Sequence, residues 1–82
     1  MAENKKHEFK IWNEYFEPII EFKKRFEIRK GDFEIGDLLV LNETIKETGE
    51  LTGRFCTCLV SYICDYAQKD GYHVLGIEHV IH

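Results

Sequence analysis

Phe22-Lys23-Lys24-Arg25-Phe26-Glu27-Ile28-Arg29-Lys30 is the stretch on which the reading of this chain turns. Phe26 and Ile28 alternate with Arg25, Glu27 and Arg29, the two-residue period of a β-strand, with same-face neighbours about 6.6 Å apart. Glu27 and Arg29 share one face and Lys24 stands at the strand's entrance, so two cations surround one carboxylate near a common pocket mouth. An arginine offers a planar fork to a phosphate or a carbonyl edge, and a carboxylate accepts hydrogen bonds from the amino edge of a base. Such a group would read a nucleobase joined to a phosphate. The same alternation would also arise on an exposed strand whose solvated ion pairs contribute little, and spacing alone does not choose between the two.

Outward from this strand, His7, Phe9 and Ile11 alternate with Glu8 and Lys10, which predicts a first strand over His7 to Ile11. Trp12, Tyr15, Phe16, Ile19 and Ile20 then recur at helical spacing, with Asn13 as the expected N-cap. Pro18 removes a hydrogen bond to the Glu14 carbonyl, so the expectation is a kink or a helix that properly starts near Glu17. Gly31-Asp32 and Gly36-Asp37 are turn signals before a third strand, Leu38 to Asn42, and Thr44 to Gly53 reads as a hairpin connection. Arg54 to Tyr66 and Tyr72 to Ile81 supply the remaining strands, Gly76 marking a bulge or a close backbone approach. The expected architecture is mainly β with one or two short helices, about five mostly antiparallel strands curled into a small barrel.

A length of 82 residues with a single proline leaves room for one domain, 1–82, with an ordered core of about 7–80. Hydrophobic content of 44% beside 32% charged residues is that of a folding, soluble chain. The longest aliphatic run, Leu38 to Leu41, is far short of a membrane span, and Met1 to Lys6 lacks a signal peptide's apolar segment. A cytoplasmic location with no membrane partner is therefore expected. The net charge of -4 argues against broad, sequence-independent duplex binding. Between Lys23 and Lys30, however, five cations stand against one carboxylate, so an anion would meet this segment first.

Lys24, Glu27 and Arg29, followed by Gly36-Asp37 opening an apolar strand, resemble the signature of the ASCH (activating signal cointegrator homology) domain of the PUA-like β-barrel superfamily. That signature reads glycine, any residue, lysine, two of any, glutamate, any residue, arginine, and Phe22 stands at the glycine position. The order of elements from His7 to Val80 also matches, and the chain looks like small stand-alone bacterial and phage members of unknown function. The resemblance implies a charged cleft between helix and barrel that binds single-stranded RNA or a nucleotide, with Lys24, Glu27, Arg29, Lys23 and Arg25 as its ligand-binding set. Some relatives are acetylcytidine amidohydrolases. Their threonine is replaced here by Glu27, and their closing-strand glutamate corresponds to Glu78, so Lys24, Glu27 and Glu78 are the candidates for hydrolysis of a modified nucleoside.

Trp12 and Tyr15 are either the inner face of the helix or stacking platforms for bases at the cleft edge. Cys56, Cys58 and Cys64 invite a zinc reading, but a straight strand holds Cys58 and Cys64 roughly 20 Å apart. Buried packing without disulfide, metal or cofactor is the expectation for the cysteines, and half-buried strand positions for His73 and His79. An exposed barrel edge offers a further alternative, a protein-interaction module or a homodimer paired through a strand edge.

Overall fold

The computed structural model describes residues 4–80. Five strands and one helix follow in the order β1 (Lys6–Trp12), α1 (Asn13–Ile20), β2 (Phe26–Lys30), β3 (Leu38–Thr44), β4 (Leu51–Cys64) and β5 (Tyr72–His79). They form one sheet in the spatial order β1-β3-β4-β5-β2. Three neighbouring pairs are antiparallel as expected, while β1 and β3 run parallel from Lys6↔Leu38 to Trp12↔Thr44. The parallel pair arises because α1 and β2 intervene, so the chain returns to β1 in its original direction. The ladder ends at β1 on one side and β2 on the other, and the sheet curls into a half-barrel whose seam side chains bridge. Residue 81, within the expected last strand, lies outside the described residues, as does His82.

Among the described residues the core comprises Ile11 of β1, Phe16 and Ile19 of α1, Leu39 and Leu41 of β3, Cys56, Cys58 and Val60 of β4, and Leu75 and Ile77 of β5. Burying such side chains stabilises the fold by about 1.5–3 kcal/mol each before chain entropy is subtracted. His7, Phe9 and Ile11 face inward as their alternation predicts. Asn13 is the first helical residue rather than the cap, and Trp12 caps the helix without a side-chain hydrogen bond. The helix takes in Pro18 instead of starting near Glu17.

Phe22 ends that helix in the left-handed conformation, φ 61°. Its N–H donates to the Ile19 carbonyl and that of Lys23 to the Pro18 carbonyl, the paired bonds of a Schellman motif. The tight turn that glycine would form is therefore made by phenylalanine, at a cost of about 1 kcal/mol relative to glycine.

Asp37, fully buried, fastens β1 to the turn before β3. Its Oδ1 accepts the Lys5 N–H at 2.9 Å, and its Oδ2 accepts the Glu34 N–H at 3.0 Å and bonds His7 Nε2 at 2.8 Å. Burial alone would push this carboxyl up, but those hydrogen bonds and the attraction of His7 together outweigh it and hold the carboxyl below its ordinary 3.8.

Gly76 realises both expectations for it. The β4·β5 register shifts between Val60 and Tyr62, a bulge, and a Cβ added to Gly76 would stand 2.9 Å from the Cβ of Tyr62. Gly76→Ala is expected to destabilise the fold by about 1–3 kcal/mol, because the Tyr62 Cβ is anchored to backbone and cannot swing aside. A urea midpoint equal to that of the parent would refute the close approach.

Candidate functional site

On β2 the pleat is the reverse of what hydropathy favours. Glu27 is only 4% exposed and Arg29 half-buried, while Phe26 and Ile28 are each about half exposed. Pairing with β5 explains the inversion. Phe26 stands opposite Gly76, where no side chain competes with its ring, and Ile28 opposite Val74, which leaves Glu27 opposite the core residue Leu75 and Arg29 opposite His73.

A carboxylate in that position has lost its water, and two cations replace it. Lys24 Nζ donates to Glu27 Oε1 at 2.6 Å and Arg29 Nε to Glu27 Oε2 at 3.0 Å. Arg29 Nη2 also donates to the Lys10 carbonyl at 3.2 Å, joining β2 to β1 across the open seam. Aromatic rings complete the setting, with Arg29 4.7 Å from the centre of Phe9 and Lys24 5.1 Å and 5.3 Å from Tyr15 and Phe26. In the Lys24–Glu27–Arg29 triad a buried carboxylate is thus paired on both oxygens by two partly buried cations. A solvated surface pair, the alternative reading of the same alternation, does not describe it.

Two cavities meet at Lys24 of this triad. The first, about 310 Å³, runs along the seam between β1 and β2 and is lined by Lys10, Trp12, Tyr15, Lys24, Glu27 and Arg29 among others. The second, about 320 Å³, lies between the end of α1 and strands β4 and β5, where Phe22, Lys24, Arg25, Cys58, Glu78 and His79 contribute to its walls. Lys24 lines both. Glu27 and Glu78 face different cavities, so the two carboxylates do not share one site. Lys23 lines neither, its Nζ lying 3.4 Å from Glu21 on the surface.

Trp12 and Tyr15 are half exposed on the seam instead of filling the core, a role that falls to Phe16 and Ile19 one helical face away. Their rings stack with centres 6.1 Å apart and planes inclined by 20°. Lys46, not anticipated from the sequence, places its Nζ 4.8 Å from the centre of the Trp12 ring while bonding Glu14 at 3.0 Å. It comes from the β3–β4 hairpin, 34 residues beyond Trp12, and no local pattern marks it.

A third buried carboxylate, after Asp37 and Glu27, was equally hidden. Glu43 accepts from Arg54 Nε at 2.9 Å, Arg54 Nη2 at 2.8 Å and Thr52 Oγ1 at 2.5 Å, and Arg54 also bonds Glu17 of α1. The Arg54 hydrogen bonds outweigh burial and hold the Glu43 carboxyl below its ordinary 4.5. With the Arg54 guanidinium 5.0 Å from the Phe16 ring, this cluster clamps the helix to the sheet. Cys56 and Cys58 are buried and Cys64 partly so, all three as free thiols. The hydrogen bond with Cys56 and burial push the Cys58 thiol up, leaving it a small apolar wall. His73 and His79 are half-buried as expected. Among the described residues no cluster of histidine, cysteine and carboxylate side chains is placed to hold a metal, and no helix is long and apolar enough to cross a membrane.

Known proteins supply a relationship without an activity. An uncharacterized 12.9 kDa protein in the GpA 3' region of Escherichia phage P2 is 40% identical over 61 residues, which are 72% of this chain and 54% of that protein. The chain thus spans about half the length of this curated relative. Residues 6–77, from the start of β1 to the core residue Ile77, match a domain of unknown function, DUF3850, and this stretch holds both seam strands and the whole triad. The chain belongs to the DUF3850 family.

Proposed function

We propose that this protein is a binding module for single-stranded RNA or a nucleotide, the ligand lying in the seam with a base on the Trp12–Tyr15 face and a phosphate at Lys24 and Arg29. One observation carries the reading: a stacked, half-exposed aromatic pair stands in the same cavity as two cations that a buried carboxylate holds in place. Aromatic faces accept any base, and the cations supply the backbone contact. Lys24 and Arg29 keep spare donors, since each gives only part of its N–H set to Glu27 and the Lys10 carbonyl. Glu27 serves to aim them. A hydrolase acting on an acylated nucleoside would instead need a carboxylate free to activate water beside the bound base, whereas in the seam Glu27 is engaged by a cation on each oxygen and Glu78 lines the other cavity.

Trp12 is the chain's one tryptophan, so its fluorescence reports on the seam directly. A short single-stranded oligoribonucleotide is expected to quench it saturably, and added salt to weaken binding as counterion release requires. Tyr15→Ala should lower the affinity about tenfold, the size of one lost stacking contact, with an unchanged melting temperature. Absence of quenching, or quenching indifferent to salt and to Tyr15→Ala, would overturn the reading.

A further inference from the structure

The cavity under Phe22 lies beside the seam and shares only Lys24 with it, yet three features mark it as more than a surface hollow. First, Phe22 adopts a left-handed conformation that glycine would hold without strain, and so keeps an aromatic ring on the cavity wall. Second, that ring lies 5.3 Å from the His79 ring at an inclination of 55°, and the buried Nδ1 of His79, like that of His73, has no hydrogen-bond partner among the described residues. Third, the cavity shares Lys24 with the seam, and Arg25, whose Nε donates to the Phe22 carbonyl at 3.2 Å, stands beside it. Two base-sized hollows, each with aromatic walls, therefore flank one ammonium group.

We propose that the Phe22–His79 cavity is a second base subsite, so that the preferred ligand is a dinucleotide segment whose linking phosphate lies at Lys24. The inference rests on the seam being a nucleotide site and extends it. The second base packs against Phe22 over an apolar floor of Ile19, Cys58 and Ile77, with His79 and Glu78 available to its polar edge. A mononucleotide fills one hollow only.

The test compares uridine 5′-monophosphate with the 5′-phosphorylated dinucleotide of uridine, using Trp12 fluorescence as the readout. The dinucleotide is expected to bind about tenfold more tightly, one stacking contact's worth. Its additional phosphate would tighten binding regardless of the second hollow, so the decisive comparison uses Phe22→Gly. That substitution deletes the ring while placing the favoured residue at the helix end, so the fold is retained, as a thermal melt verifies. In Phe22→Gly the dinucleotide advantage should shrink to about twofold while monophosphate affinity stays at the parental value. Equal affinities for the two probes in the parent, or an advantage that survives both Phe22→Gly and His79→Ala, would overturn the second subsite and leave the seam standing. Failure of both probes to quench Trp12 would overturn the seam, and the subsite with it.

Discussion

Glu27→Ala is expected to destabilise the protein by about 3 kcal/mol and to abolish high-affinity binding at the seam, although Glu27 touches no ligand in the arrangement proposed. The stability loss follows from what remains behind. Glu27 is inside the sheet opposite Leu75, and its two oxygens hold Lys24 and Arg29, whose side chains are only 20% and 24% exposed. Removing the carboxylate leaves two partly desolvated cations facing each other and a void against the core. Breaking such a pair costs about 3–5 kcal/mol when both partners are fully buried, and the lower end applies here because both side chains reach water. Lys24 then swings away from Tyr15, and Arg29 keeps only the Lys10 carbonyl and the Phe9 ring. Urea unfolding measures the first effect and Trp12 quenching the second. Glu27→Gln separates them further, since an amide of the same shape can accept from one cation but presents an N–H to the other. It should fall between parent and alanine variant in both measurements. Parental stability in Glu27→Ala would show that the triad is a surface feature after all.

How much of this could be read from the sequence depends on the range of the interaction. Local periodicity placed the inward face of β1 through His7, Phe9 and Ile11, and Gly76 announced its own close approach because a glycine inside a strand pattern is costly without a reason. The cations and carboxylate of Lys24, Glu27 and Arg29 were legible as a group because they lie within six consecutive residues. Their burial was not. Hydropathy assigns Phe26 and Ile28 to the core, and only the pairing of β2 with β5, some fifty residues away, turns that face to solvent. The same limit hid the parallel β1·β3 pair and the Glu43–Arg54–Glu17 clamp, whose members come from β3, β4 and α1. Trp12 and Tyr15 fall on the helical stripe by spacing, but the apolar stripe is wider than the surface the small core offers, and Phe16 and Ile19 take it.

Asp37→Asn should lower stability by about 2–3 kcal/mol at neutral pH and by progressively less as the solution becomes acidic. The carboxylate accepts on both oxygens, from the Lys5 N–H on one and from the Glu34 N–H and His7 on the other. An asparagine has a single acceptor oxygen, so whichever way it turns, its amide N–H₂ confronts at least one buried donor, and β1 loses part of its attachment to the turn before β3. The pH dependence follows from linkage. Because the folded-state pKa lies below the ordinary 3.8, the folded chain binds this proton more weakly than the unfolded one. The stabilisation is complete above that ordinary value and is lost as pH falls through the lower folded-state value. Urea midpoints taken at neutral pH, near pH 3.8 and at successively lower pH should therefore show parent and Asp37→Asn converging only in the acid arm. Glu43 adds to the acid sensitivity of the parent and the variant alike, so it cancels from their difference. A gap between the two proteins that stayed constant down to the acid limit would mean that the Asp37 bonds owe nothing to its charge, and would remove the carboxylate as the fastening of β1 to the sheet.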